Sequence, residues 1–375
     1  MQILQLSAQD FRNLMSVTLT LSPHFNVFCG PNAQGKTNLL EAAYLAICQR
    51  SFRGARVKEM VRFGCERARV VAQTRAEGLD SDVQVVLEGE RRRVTIDGKA
   101  LRSVAGGLSR GLAAVLFTPD DLQVPKGSPG ERRRLLDRAV ATVWADYPSL
   151  VRDYTKALRS RNRLLREPQP GVEALLDVYD RSLAGLGAKV MLARQRYLRS
   201  LSPRYHEAFA RIVGAQLEAG LVYTSAPPLA EVLHHPQTEL VELMRRYEAL
   251  LGASRRRDLE RRATSIGPHA DDLELTIDGR SARQFASQGQ TRALMLAFKI
   301  AQILDTHDKL SQFPILLLDD VSSELDAEKN AYLFEFIKEI SCQVLLTTTR
   351  AELVPLVNNR FDFKVLDGTI AISQS

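Results

Sequence analysis

Two short stretches of this sequence combine residue types that can do phosphate chemistry. Residues 30–37 read Gly30-Pro31-Asn32-Ala33-Gln34-Gly35-Lys36-Thr37, followed by Asn38. The spacing is GxxxxGK[ST], set between the apolar run Phe25–Cys29 and a helical pattern that reaches about residue 50. Glycines let backbone N–H groups turn inward around phosphate oxygens, and a helix N-terminus adds positive potential at the same place. In such a loop Lys36 reaches the β- and γ-phosphates and Thr37 ligates Mg²⁺. A chance glycine-rich loop is the alternative, and the flanking strand and helix weigh against it. The second stretch, 315–320, reads Ile-Leu-Leu-Leu-Asp319-Asp320. Four apolar residues predict a buried parallel strand. Acids at its C-terminal end lie where ligands bind in open α/β sheets. Asp319 is the candidate metal anchor, directly or through water. Asp320 is the candidate base for an attacking water. An Asp-Asp pair alone reads as a strand-ending turn; together with the loop it reads as a site.

The elements that must position these residues follow from periodicity. Residues 2–8 and 15–21 are β-rich, with a turn at Asp10–Asn13. Residues 68–75, 82–88 and 92–97 predict antiparallel strands, with turns at Glu77-Gly78 and Asp97-Gly98, and Val115–Thr118 predicts another strand. From about 130 to 262 helix formers dominate and arginine is frequent, with breaks at Pro168-Gln-Pro-Gly and Pro227-Pro228. No apolar heptad is sustained there, so no long coiled coil is expected. Beyond 264 strands and helices alternate again. The expected fold is therefore an α/β P-loop ATPase head of mixed and parallel sheets with helices. Residues 1–130 form its first part, 131–262 an inserted, mostly helical, Arg-rich lobe, and 263–375 its second part.

A chain of 375 residues is long enough for such a head and one lobe. A net charge of +7 favours anionic partners, nucleic acid or phosphates. The four cysteines, Cys29, Cys48, Cys65 and Cys342, have neither CxxC nor metal-ligand spacing and read as small apolar residues of a reducing compartment. The N-terminal MQILQLSAQDFRNL lacks a basic segment followed by an apolar one, and no run reaches the roughly 18 apolar residues of a membrane span. The expected location is the cytoplasm, away from the membrane.

Residues 287–290, Ser287-Gln-Gly289-Gln290, resemble the signature of ABC-class ATPases. They open a helical pattern with Leu294, Phe298, Ala301 and Leu304 on one face. The resemblance implies that Ser287, Gly289 and Gln290 bind the γ-phosphate of ATP held by an opposite subunit. Physically, this is a helix N-terminus with a hydroxyl and a bare glycine backbone. An ordinary serine N-cap is the competing role. Residues 323–326, Ser-Glu-Leu-Asp, resemble the D-loop of the same class. The next strand, Gln343–Thr347, leads into Thr347-Thr-Thr-Arg350 where the class often has histidine, which leaves the γ-phosphate sensor open, position 349 included. Asp320 stands where glutamate is usual, and a shorter acid implies slow hydrolysis.

Within that class the chain resembles the RecF family. Residues 119–137 (PDDLQVPKGSPGERRRLLD), 267–272 (GPHADD), 317–333 (LLDDVSSELDAEKNAYL) and Phe11-Arg12-Asn13 carry the resemblance. It covers almost the whole chain, is weakest from about 140 to 260, and departs from the family pattern at Pro125, Leu135 and Ala270. It implies a weakly DNA-stimulated ATPase of recombinational repair with ATP and Mg²⁺ as cofactors. Such a protein would dimerise on ATP and clamp duplex DNA at gaps or single-strand/duplex junctions without reading sequence. Slow hydrolysis would release it. A RecR-like mediator, recombinase loading, replication recovery and the SOS response belong to the same implication. Arg12 is expected to touch ATP if the first strand ends beside the loop. Arg132 and Arg133 read equally as phosphate contacts or as solvated charges, and His269 as a structural hydrogen-bonding group. Arg152–Arg166 and Arg255–Arg262 are candidate DNA surfaces, although Asp153, Asp258 and Glu260 also allow a salt-laced helical face. Two other functions stay open. A transporter-type ATPase subunit is disfavoured by the Arg-rich insertion, and a nucleotide switch without turnover is compatible with every motif.

Overall fold

Alternating burial organises the first hundred residues into hairpins, and nearly every second residue of the strand Arg67–Ala76 is buried. The computed structural model describes residues 1–101, 111–167, 170–235, 237–355 and 359–372. Two units result, Met1–Gln123 with Met295–Ser375, and Val124–Leu294. The first contains β1 (Gln2–Phe11), β2 (Leu14–Thr20), β3 (Phe25–Cys29), α1 (Lys36–Cys48), α2 (Val57–Met60), β4 (Arg67–Ala76), β5 (Leu79–Glu88), β6 (Arg91–Ile96), β7 (Lys99–Ala100), β8 (Ala114–Phe117) and α3 (Pro119–Gln123). The chain continues through α4 (Pro129–Val143), α5 (Tyr147–Arg166), α6 (Val172–Val213), β9 (Ala219–Thr224), α7 (Pro227–His234) and α8 (Leu240–Arg261). Next come β10 (Asp272–Ile277), β11 (Arg280–Ser281), α9 (Ala282–Phe285) and α10 (Gln288–Leu310). The last elements are β12 (Ile315–Asp319), α11 (Ala327–Glu339), β13 (Val344–Thr348), β14 (Arg360–Leu366) and β15 (Thr369–Ile372).

The first unit holds two six-stranded sheets. One is an antiparallel meander in the order β2-β1-β4-β5-β6-β7, and the other runs β15-β14-β3-β13-β12-β8 with parallel pairing from β14 through β8. Helix α1 is apolar on nearly every side, with Leu39, Leu40 and Ala42 to Ile47 all buried. A helix of that kind must be covered all round. Its core cluster includes Leu6, Val70 and Val85 of the meander as well as Phe28, Leu317 and Leu345 of the parallel sheet. The two-residue turns Glu77-Gly78 and Asp97-Gly98 have positive φ at both positions, the backbone that closes twisted hairpins and the reason glycine follows the acid. The first turn is tighter than expected. Strand β1 runs on to Phe11, which pairs with Leu14 and is fully buried, so only Arg12 and Asn13 make the connection.

The second unit is mostly helical, with one element the composition hid. Strand β9, carrying Val222, Tyr223 and Thr224, pairs antiparallel with β10. That pairing ties residues 272–277, which the sequence groups with the last part of the head, into the second unit. Helix α6 runs for 42 residues straight through Pro203, yet Leu183, Met191, Leu198, Tyr205 and Phe209 along it are all buried within the fold. Among the described residues no helix is long and apolar enough to cross a membrane. Cys342 is buried and the other three cysteines are partly buried, all as free thiols.

The GPHADD run lies in a buried polar network of this unit. His269 faces the Tyr154 hydroxyl through Nδ1 at 2.6 Å and the Thr264 carbonyl through Nε2 at 2.9 Å. This is the structural hydrogen-bonding role its sequence context suggested. Asp271, 4% exposed, accepts from the Tyr223 hydroxyl at 2.6 Å and the Ser225 hydroxyl at 2.8 Å. Burial pushes its carboxyl up to about 6 in spite of those donors and the nearby Arg194. The folded chain therefore keeps a proton that the unfolded chain has already released. The associated stability is complete below about pH 4 and is lost as pH rises through 6. Asp271→Asn should remove this dependence. The stability difference between pH 4.5 and pH 7 should shrink by about 2 kcal/mol relative to wild type, read by urea denaturation at the single tryptophan, Trp144, of this unit. Equal pH dependence in both proteins would dismiss the idea.

Candidate phosphate-binding site

The site is set by strand order. In the parallel sheet β3 and β12 both flank β13, with Cys29 opposite Thr348 and Asp319 opposite Thr347. Both strands thus end at the same edge of the sheet, where the loop after β3 and the acids after β12 meet. Gly30 to Gly35 make the loop, and Lys36, Thr37 and Asn38 form the first turn of α1. Pro31, Asn32 and Ala33 are exposed. Ala33 and Gly35 have left-handed φ of 65° and 109°. At Gly35 a side chain is also excluded by space, because a Cβ would lie 2.7 Å from the Asn13 Oδ1.

Lys36 is folded back into its own loop. Its Nζ donates to the Gly30 carbonyl at 2.5 Å and the Pro31 carbonyl at 2.8 Å, and the residue is 6% exposed. Desolvation pushes its ammonium pKa down, opposed by the charges of Asp320, Cys29 and Asp319. Thr37 donates to Asp319 Oδ1 at 2.8 Å, and the Thr347 hydroxyl donates to the same oxygen at 2.8 Å. Burial raises the Asp319 carboxyl, while the Thr347 and Thr37 hydroxyls pull it back. Next to it, Asp320 takes a left-handed backbone, φ 49°, held by its N–H donating to the Thr347 carbonyl and hydroxyl. The Asp320 carboxylate accepts from the Ser323 hydroxyl, which links it to the Ser-Glu-Leu-Asp segment.

The geometry brings Gly30 through Asn38 together with Asp319 and Asp320. It places Arg12 beside α1, bridged to a buried acid. Nε and Nη2 form a paired bridge to the fully buried Glu41 at 2.9 and 3.0 Å, and Nη1 donates to the Glu59 carbonyl at 2.7 Å. Arg132, 4% exposed, is held by Asp272 and the Gly127 carbonyl, so it is a structural ion pair and no free phosphate contact. Ser287, Gly289 and Gln290 lie in the second unit at the start of α10. Ser287 forms a reciprocal cap there: the Gln290 N–H donates to its hydroxyl at 3.1 Å, and its own N–H donates to the Gln290 side chain at 2.8 Å. Ser287, Gln288 and Gly289 are all exposed. Residues 293–303 of α10 are buried on every side, so its face is broader than the four-residue stripe suggested.

Sequence reasoning missed several positioning residues. Gln34 is gripped by the β14–β15 turn: Asp367 N–H donates to its Oε1 at 2.6 Å and Gly368 N–H to its carbonyl at 3.0 Å. The Asn38 amide donates to Asn13 Oδ1 at 2.8 Å and accepts from Arg53 at 2.9 Å. An acid inside an apolar helix, Glu41, was the one readable signal for a buried ion pair. Beside this corner a cleft of about 640 Å³ is lined by Arg12, Asn38, Arg53, Lys58, Arg62 and Phe63.

The donor set suits a hard cation. Thr37 and Asp319 offer oxygen ligands 2.8 Å apart with no sulfur or imidazole, the chemistry of Mg²⁺ completed by phosphate oxygens. Among the described residues no group of three or more His, Cys, Asp or Glu side chains could hold a metal by itself.

The chain is similar to known proteins over nearly its whole length. Residues 2–369 match the RecF/RecN/SMC N terminal domain family. The DNA replication and repair protein RecF of Myxococcus xanthus (strain DK1622) is 42% identical over 354 residues, 94% of this chain and 92% of its own length. That of Geobacter sp. (strain M21) is 37% identical over 377 residues, 99% of this chain and 100% of its own. A solved structure of the recombination mediator protein RecF-ATPrS in the RecFOR pathway aligns with a TM-score of 0.88 at 28% identity, over 99% of this chain and 98% of that chain. The Smc head bound to the C-winged helix domain of ScpA shares the fold, with a TM-score of 0.56 at 16% identity over 99% of this chain and 96% of that chain. A match of this extent, with a phosphate loop and an acidic strand end meeting at one sheet edge, places the chain in the RecF family of DNA replication and repair proteins, a branch of the RecF/SMC ABC-type ATPases.

Proposed function

We propose that this chain is an ATP-gated DNA clamp of recombinational repair. ATP binds with its phosphates in the loop Gly30–Thr37, Mg²⁺ is held by Thr37 and Asp319, and Lys36 turns from its loop carbonyls to the β- and γ-phosphates. The adjoining cleft, cationic with an aromatic at its rim, suits the nucleoside. The exposed N-terminus of α10, with Ser287, Gly289 and Gln290, meets the γ-phosphate held by a second copy, so ATP joins two heads. The pair closes on duplex DNA at gaps or junctions, and hydrolysis with Asp320 as base releases it. The relatives' role in the RecFOR pathway supports a RecR-like partner, recombinase loading, replication recovery and SOS induction. The observation that carries this reading is the hydrogen-bonded line Thr37–Asp319–Thr347. It joins residues 282 and 28 positions apart into one metal-ready edge beside the loop.

The test is sedimentation with ATP, ADP or no nucleotide, in wild type and in Asp320→Asn. Wild type should dimerise with ATP alone. The variant should turn ATP over roughly ten- to a hundredfold more slowly and remain a dimer after wild type has reverted. A wild-type chain that stays monomeric at saturating ATP removes the clamp. An Asp320→Asn protein with wild-type turnover and dimer lifetime favours the switch without catalysis.

A further inference from the structure

The structure separates the arginines of α5 into two classes that the sequence lists side by side. Arg161 points inward and is fully buried. Its Nε donates to Asp180 at 2.7 Å, and its Nη1 donates to Asp258 at 2.7 Å and to Thr264 at 2.9 Å. Asp258 and Asp180 are themselves buried. One of the acids interspersed with the two basic segments, Asp258, is therefore turned into the fold and cannot neutralise their surface.

What remains outside is a cationic ridge. Arg152, Lys156, Arg159, Arg163 and Arg166 are all exposed. Their spacing alternates four and three residues, which at ~100° per residue confines them to an arc of about 80° and spreads them over about 21 Å. The opposite side of the helix carries the buried Tyr147, Tyr154, Arg161 and Leu165. Among the described residues of the ridge, Arg152 alone is paired with an acid, Asp153 at 3.6 Å and itself exposed. Arg166 donates to the Asn162 carbonyl, and Glu167 caps the helix end. Among the described residues Lys156, Arg159 and Arg163 make no ion pair. The ridge continues onto the neighbouring helix. Arg161–Asp258 and the Asn162 contact with Thr264 join the end of α5 to the end of α8, where Arg261 and Arg262 are exposed.

Unpaired like charges in a row repel one another and cost stability. Such a row is relieved by a linear polyanion. We infer that the exposed ridge Lys156–Arg159–Arg163, with Arg152 and Arg166 at its ends, is a docking surface for the phosphate backbone of duplex DNA. A duplex carries one charge per ~1.7 Å of axis, so every cation of the ridge finds a phosphate within its length. The contact reads no sequence, because arginine and lysine on phosphates position a duplex without touching base edges. This assignment rests on the proposed clamp and names the surface through which it holds DNA.

The test uses the full chain with ATP and a mixed-sequence duplex, titrated by fluorescence anisotropy at several salt concentrations. The triple variant Lys156→Gln/Arg159→Gln/Arg163→Gln should lower the slope of log affinity against log salt by about 2 to 3, at ~0.9 per phosphate contact. Affinity near ~0.15 M salt should fall about a hundredfold. ATP affinity should stay at the wild-type value, which shows that the variant is folded. A matched control, Arg211→Gln/Arg245→Gln, removes two exposed arginines already paired with Glu207 and Glu242; it should leave the slope in place. Wild-type binding with an unchanged slope and affinity in the triple variant overturns the ridge and spares the clamp. The same result follows if the variant loses only binding to an acidic protein while keeping DNA. A wild-type chain that binds no duplex overturns both.

Discussion

Lys36→Ala is expected to lower ATP affinity at least a hundredfold and single-turnover hydrolysis by 10²–10³. Lys36 supplies the one side-chain cation of the phosphate loop. Its Nζ donates to the Gly30 and Pro31 carbonyls. The alanine variant loses the charge that would meet the β- and γ-phosphates and also leaves two carbonyls without their donor. Loss of the two hydrogen bonds costs only about 1 kcal/mol each in stability, so the fold should persist while nucleotide binding fails. Lys36→Arg separates charge from shape. It keeps the positive charge but cannot form a point contact from within so tight a loop, and should recover only part of the affinity. Titration with a fluorescent ATP analogue, with the melting temperature measured alongside, reads the effect. An alanine variant binding ATP within threefold of wild type would move the nucleotide site elsewhere.

Arg161→Met should destabilise the second unit by about 3–5 kcal/mol. The side chain is 0% exposed and links Asp180 on α6 with Asp258 on α8. Removing it leaves Asp258 with only Ser265 as donor, through its N–H at 3.0 Å and hydroxyl at 2.6 Å, and no cation. Asp180 keeps Arg255 at 2.8 Å. The large term is therefore the uncompensated charge of Asp258. Arg161→Met/Asp258→Leu should recover much of the loss, since an apolar pair of similar volume in a buried site is often neutral. Denaturation followed at Trp144 reads both proteins. A double variant no more stable than the single would mean that packing, rather than the orphaned carboxylate, sets the cost.

Much of the site was legible because its chemistry is local. The loop from Gly30 to Thr37 needs only its own glycines, its lysine and the strand and helix on either side, and all are contiguous in the chain. The hairpins were equally readable. A period of two places Val70, Ala72 and Thr74 on one side of β4, and an acid followed by glycine marks the turns at Glu77-Gly78 and Asp97-Gly98. Strand β9 escaped because six residues inside a helix-rich segment carry too little pattern, and only pairing with β10 defines them as a strand.

The sequence by itself determined the chemistry on offer: a phosphate loop, an acidic strand end, an exposed serine at a helix start and a surplus of arginine. Tertiary structure decided which of these act together. The contact between Thr37 and Asp319 spans 282 residues, and it exists because β13 lies between their strands, an order that no local preference encodes. Likewise, Arg12 joins Glu41, 29 residues further along the chain, because a buried carboxylate needs a cation within reach. Among the arginines of α5, residue 161 turned inward and residues 159 and 163 outward. Helical phase sets which positions share a face, but only the acids of α6 and α8 make the inner face habitable for a charge.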